Sequence, residues 1–107
     1  MPSDLDTIYF VNTLIRTEAF VAWLSSVRDR VALARILQRL DAAVIGHFGD
    51  CEPVGDGISE MRIHVGAGYR IYFTRRGELV YLLFCGGTKA SQMRDIKRAK
   101  QMLKLLN

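Results

Sequence analysis

The feature that most constrains this chain is a pair of alternating blocks on either side of a glycine turn. From Ile58 to Val65, the residues Met61, Ile63 and Val65 alternate with Glu60, Arg62 and His64. From Tyr69 onward, Tyr69, Ile71 and Phe73 alternate with Arg70, Tyr72 and Thr74. Alternation of this kind sends successive side chains to opposite faces of a strand, and Gly66-Ala67-Gly68 supplies a turn between the two. The apolar sets must share one face, because a slip of one residue would turn half the core outward. A turn of these three residues pairs Val65 with Tyr69, and so sets His64 opposite Arg70 and Arg62 opposite Tyr72. Glu60, Arg62, His64, Arg70 and Tyr72 are then expected on the other face, with directly opposed side chains about 5 Å apart at Cβ.

The remaining elements arrange themselves round that hairpin. Residues 7–11 are β-rich and read as a short first strand. Thr17 offers an N-cap, and Phe20, Trp23, Leu24 and Val27 follow at helical spacing, which predicts a helix near 17–27 with Trp23 on its core stripe. Asp29 caps a second helix with the stripe Leu33, Ile36, Leu37, Leu40 and Val44, closed by Gly46, and the short connection makes the two an αα-hairpin. Residues 47–57 are rich in turn formers and read as a loop, with His47 capping or solvated. Leu79 to Cys85 is nearly all apolar, as suits a central strand covered on both faces, and Gly86-Gly87-Thr88 reads as its break. Ser91 to Leu106 is a basic helix with Ile96, Ala99, Met102, Leu103 and Leu106 on its apolar side. The order is β-α-α-β-β-β-α. Hairpin-joined strands make this an α+β class with an antiparallel sheet and packed helices.

A chain of 107 residues, half of them hydrophobic, suits one domain spanning 1–107. A core this small argues against a deep substrate cavity and for a shallow site or one that a partner completes. Met1 to Asp6 is polar and acidic, without the basic start of a secretion signal. No stretch approaches the roughly 18 apolar residues of a membrane span. Cys51 and Cys85 have no scaffold or metal-ligand spacing and read as idle thiols of a reduced cytosolic protein. Charge is divided unevenly. Residues 1–61 carry five basic and nine acidic side chains, and residues 62–107 carry ten basic and two acidic ones. A basic half suits a polyanionic partner, and equally a solvated face without one.

The expected cluster of two guanidiniums, an imidazole, a carboxylate and a phenol suits a phosphodiester. Arginine binds phosphate oxygens and stabilises charge growing on them. His64 or Glu60 can move a proton at a ribose 2′-hydroxyl, and Tyr72 can stack on a base. Cross-strand ion pairing of Glu60 with Arg62 or Arg70 on a solvated face explains the same residues without chemistry.

Longer motifs point to a family. Phe20-x-x-Trp23-Leu24, Val54-Gly55-Asp56-Gly57-Ile58-Ser59-Glu60-Met61-Arg62-Ile63, Gly66-Ala67-Gly68-Tyr69-Arg70-Ile71-Tyr72-Phe73, and the run from Cys85 to Ala99 that includes Gly87-Thr88-Lys89 and Gln92-Met93-Arg94-Asp95-Ile96 resemble the addiction-module killer proteins. That group is similar to HigB and belongs to the RelE/ParE superfamily. The resemblance covers most of the chain. It implies a compact α+β fold with helices at one side of an antiparallel sheet. It also implies a cytoplasmic toxin that cleaves mRNA, often in the ribosomal A site, with no metal or other cofactor and no membrane, and that a cognate antitoxin protein neutralises. Carried over by position, Arg70 is the phosphate ligand and Lys89 the second positive charge. Arg62, Gln92, Arg94 and Lys97 are RNA contacts, and Tyr72 is another. Glu60 and His64 are the candidate proton carriers. Asp95 reads more readily as compensation of the helix dipole. Lys97, Arg98, Lys100 and Lys104 face an RNA backbone or an acidic antitoxin segment. This sequence departs from RelE on the strand that carries Ile58 and Glu60, where RelE has lysines, and in the final helix, where RelE has a tyrosine without an equivalent here and Met93 and Asp95 occupy its neighbourhood. A ParE-like inhibitor of DNA gyrase, acting by binding alone, is the alternative that the same scaffold allows.

Overall fold

The computed structural model describes residues 9–106. The elements are β1 (Thr13–Arg16), α1 (Glu18–Ser26), α2 (Arg30–Val44), β2 (Cys51–Gly55), β3 (Ile58–Ile63), β4 (Tyr69–Arg75), β5 (Val80–Thr88), a 3-10 turn (Lys89–Ser91) and α3 (Gln92–Leu106). The strands form one sheet in the order β1-β5-β4-β3-β2. β1 runs parallel to β5 and every other pairing is antiparallel, so the expected antiparallel sheet is in fact mixed. The α+β class holds.

Both N-terminal helices begin where the caps predict. Thr17 accepts from Phe20 N at 3.0 Å, and its hydroxyl donates to Phe84 O at 2.6 Å, which ties the helix start to β5. Asp29 accepts from Val31 N and Ala32 N. Each cap contributes about 1 kcal/mol. Gly46, at φ +91°, follows the end of α2 as read. Phe20, Ile36, Leu40 and Ala43 pack on Met61, Ile63, Ile71, Phe73 and Leu83, with Trp23 half-buried against them. On the opposite side of the sheet, Ala99, Ile96, Met102 and Leu103 of α3 cover Ile58, Tyr72, Phe84 and Cys85. The helices therefore lie on both faces, not on one. Leu106, assigned to the apolar side of α3, is 51% exposed.

Four further expectations change. Residues 7–11 are not the first strand: Thr7 and Ile8 lie outside the described residues, and residues 9–12 are irregular. Asn12 is drawn to the end of α2, its N–H donating to Val44 O and its amide to Ala43 O, and pairing with β5 starts only at Thr13. Strand propensity yielded to the availability of a partner. Residues 47–57 are not all loop, because Cys51–Gly55 pairs with β3 as an edge strand, bulged between Pro53 and Gly55. An edge tolerates a proline, which has no N–H to donate. Asp56 and Gly57, both at positive φ (56° and 84°), make the tight turn that Asp-Gly pairs favour in hairpins.

The β3–β4 register is offset by two residues from the one expected, with Ile63 opposite Tyr69, Arg62 opposite Arg70 and Glu60 opposite Tyr72. Val65 N–H donates to Ile63 O and Gly68 N–H to Val65 O, so residues 64–68 curl into the turn. An even offset leaves every side chain on its expected face but removes His64 and Val65 from the ladder. Lastly, Gly86-Gly87-Thr88 does not break β5, which runs on to Thr88 against Tyr69, Arg70 and Ile71. A Cβ at Gly86 would overlap the Trp23 indole, and one at Gly87 would overlap the Asp95 carboxylate. These glycines mark close approach from either side of the sheet.

Candidate functional site

The side of β3 and β4 that faces α3 carries Ile58, Glu60 and Arg62 from one strand and Arg70 and Tyr72 from the other. Glu60 is the hub and is fully buried. Its Oε1 accepts from Arg62 Nε at 2.9 Å, and its Oε2 accepts from the Tyr72 hydroxyl and from Gln92 Nε2, each at 2.9 Å. Arg70 Nε stands 4.0 Å from Oε2. Burial pushes the Glu60 carboxyl up, but the hydrogen bonds from Arg62, Gln92 and Tyr72 and the charge of Arg70 outweigh it and hold the group below the ordinary glutamate range. Burial first, and then the bond to Glu60, pushes the Tyr72 phenol well up, so it stays protonated as a donor. Arg62 is 28% exposed and also pairs with Glu52 at 3.0 Å.

Arg70 is left incomplete. Its side chain is 13% exposed, and its Nε and Nη1 are enclosed without a hydrogen-bond partner. The nearest anion, Glu60, already accepts from three donors. A buried donor left bare costs about 1–3 kcal/mol, and more when charged. Such a group is explained by strain, by a catalytic role, or by a bound water, ion or ligand.

Next to Arg70 in the sheet is Gly87, and the chain then turns through Lys89–Ser91 into α3. Lys89, Ala90, Ser91, Gln92, Met93 and Arg94 line an open groove of about 640 Å³. Lys89 is exposed at its lip, and Arg94 is 82% exposed, 3.7 Å from Asp95. Ser91 Oγ donates to Asp95 Oδ2 at 2.5 Å and accepts from Thr88 N at 3.2 Å. Asp95 is 4% exposed and seated on Gly87, so it does more than offset the helix dipole. A second groove of about 340 Å³ follows α3, lined by Lys97, Lys100, Lys104, Asp56, Met93, Ile96 and Gln101.

The site therefore joins Glu60, Arg62, Arg70, Tyr72 and Gln92, with Lys89 and Arg94 on the adjoining groove and Lys97 in the second one. His64 is the clear correction: displaced from the ladder, it is 70% exposed and pairs with Asp50 at 2.5 Å instead of facing Arg70. That hydrogen bond holds the Asp50 carboxyl below its usual range. Tyr72, expected to stack on a base, is enclosed and presents no ring face. Glu60, expected as a proton carrier, has no open surface and accepts three hydrogen bonds. Two contributors were not foreseen. Arg39 donates to Arg62 O, Phe48 O and Asp50 O, which clamps α2 to β3 and to the entry of β2. Ser91 fixes the start of α3. The close spacing of Gly87, Ser91 and Asp95 was the available signal for Ser91; Arg39 gave none beyond lying off its helix's apolar stripe. Among the described residues, no three His, Cys, Asp or Glu side chains gather as a metal would need, and no helix is long and apolar enough to cross a membrane.

No protein-family model matches the chain, and no solved structure matches it. An uncharacterized protein of Haemophilus influenzae is 43% identical over 84 residues, which span 78% of this chain and 85% of that protein.

Proposed function

The chain belongs to the same family as that Haemophilus protein, and from the site it carries we propose that it is the toxin of a type II toxin–antitoxin pair. In this reading it has a RelE-like fold and works in the cytoplasm as a metal-independent endoribonuclease on mRNA, in the ribosomal A site, until a cognate antitoxin binds it. One observation carries the reading: Arg70 is a largely buried guanidinium whose Nε and Nη1 lack hydrogen-bond partners. A desolvated cation held in place is what stabilises charge developing on a phosphorane. The ribose 2′-hydroxyl attacks the adjacent phosphorus and gives its proton to solvent, the bond to the 5′-oxygen breaks and that oxygen takes a proton from solvent, and the products are a 2′,3′-cyclic phosphate and a 5′-hydroxyl. Arg70 takes the growing negative charge, and Lys89 adds to the positive field from the groove. Glu60, pinned by Arg62, Tyr72 and Gln92, is a positioning residue behind Arg70.

A second reading has its own support. Glu60 is enclosed, His64 lies outside the ladder and Asp95 is bound to Ser91, so the groove offers no open carboxylate or imidazole to take the 2′-proton. That favours a ParE-like binder of DNA gyrase. Growth separates function from fold. The wild type, induced in a bacterial host, arrests growth, and Arg70→Ala, produced and folded equally well, does not. An Arg70→Ala chain as toxic as the wild type would remove Arg70 from the mechanism.

A further inference from the structure

The Gln92 amide is held in one orientation. Its Nε2 donates to Glu60 Oε2 at 2.9 Å, and an ionised carboxylate only accepts, so turning the amide over would set two acceptors against each other. The same carboxylate oxygen takes the Tyr72 hydroxyl at 2.9 Å, and the other oxygen is occupied by Arg62. Glu60 is fully buried, so no water competes for it. Gln92 then has one N–H and its carbonyl oxygen left to offer, and the carbonyl is the acceptor it presents.

The setting gives that acceptor meaning. Of the other polar side chains lining the groove, Lys89 and Arg94 are cations that only donate. Ser91 is engaged on both sides, by Asp95 and by Thr88 N. Arg70, next to the Glu60 hub, also only donates. A phosphodiester satisfies such donors but has no hydrogen to give to a carbonyl. The ribose 2′-hydroxyl beside a phosphodiester does, and it is the group that separates RNA from DNA.

We propose that Gln92 reads the sugar: its amide carbonyl, locked by Glu60, accepts a hydrogen bond from a ribose 2′-hydroxyl next to the phosphate at Arg70, and selects RNA over DNA. This rests on the reading of Arg70 as a phosphate ligand. Glu60 is then a positioning residue for two neighbours, Arg70 by charge and Gln92 by orientation. Gln92→Ala is a mild change for the fold, since Glu60 keeps the donors Tyr72 and Arg62.

The test is equilibrium binding, by fluorescence anisotropy, of the full chain to a short single-stranded RNA and to the DNA of the same sequence. The wild type is expected to prefer RNA by about fivefold, the worth of one neutral hydrogen bond. Gln92→Ala loses that preference by weakening RNA and leaving DNA unchanged. Glu60→Gln, whose own amide can donate, frees Gln92 to turn and lowers the preference too. A Gln92→Ala chain that keeps the wild-type ratio overturns the proposal, as does one whose altered preference follows base identity and not the sugar. Arg70→Ala reports separately on the reading beneath: it weakens RNA and DNA alike if Arg70 holds a phosphate. If it leaves both unchanged, the anion site is wrong, whatever Gln92 does.

Discussion

Removing the Glu60 carboxylate should change the sign of what its neighbour contributes. In the wild type the Tyr72 hydroxyl donates to Glu60 at 2.9 Å inside a fully enclosed site. Tyr72→Phe deletes that bond and leaves Glu60 with Arg62 and Gln92, so it costs about 1.5–3 kcal/mol, the range for a hydrogen bond to a charged group. Glu60→Ala does more. It strips the acceptor from a buried phenol, at about 1–3 kcal/mol, and takes the nearest counter-charge from Arg70. It also opens a small cavity. Arg62 and Gln92 are partly exposed and recover water, so they add little. The total is about 3–5 kcal/mol, typical of removing one member of a buried ionic group. In that background the Tyr72 hydroxyl is a bare donor, so Tyr72→Phe should stabilise the protein by about 1 kcal/mol. The assay is urea unfolding of the four proteins of the cycle, compared by midpoint at constant slope. Additive losses would mean that the two side chains do not share the bond described.

Other expectations follow from the same geometry. Glu60 is held below the ordinary glutamate value of 4.5, so its stabilisation is full above that pH and is lost as pH falls through the lower folded value; acid unfolding should show a shallower slope in Glu60→Gln. Arg70→Met removes a guanidinium whose Nε and Nη1 have no hydrogen-bond partner while Glu60 keeps its three donors, and should raise stability by about 1 kcal/mol while abolishing toxicity, the exchange expected of a strained functional group; a clear loss of stability would show that Arg70 is structural. Gly87→Ala drives a methyl into Asp95 and to within 2.6 Å of Ser91 Oγ and should cost about 2–3 kcal/mol. Adding Asp95→Ala should recover part of that, and no recovery would place the strain elsewhere.

What the sequence made legible was whatever a local period or cap decides. Thr17, Asp29 and Gly46 placed the helix ends, and alternation placed Glu60, Arg62, Arg70 and Tyr72 on one face. What it hid depended on the third dimension. The hairpin register rests on how residues 64–68 hydrogen-bond among themselves, and alternation is blind to a slip of two, so the face survived while His64 was lost. Gly86 and Gly87 look like a break until Trp23 and Asp95 are seen pressed against them. The edge strand β2 was masked by Pro53 and by the turn residues around it, although Asp56-Gly57 between Val54 and Ile58 signals a tight hairpin. Burial of Glu60 and Tyr72 was hidden as well, because a polar side chain on a strand face carries no sign that a helix will cover it. α3 does so, and a face read as open to RNA became the support beneath a single arginine.

A transcriptome-wide map of RNA 5′ ends, taken within minutes of inducing the chain in a bacterial host beside Arg70→Ala and His64→Ala, reads cleavage of mRNA itself. New cuts inside translated codons are expected, kept by His64→Ala and absent from Arg70→Ala. Growth arrest with intact mRNA and an induced DNA-damage response would contradict mRNA cleavage and point to gyrase.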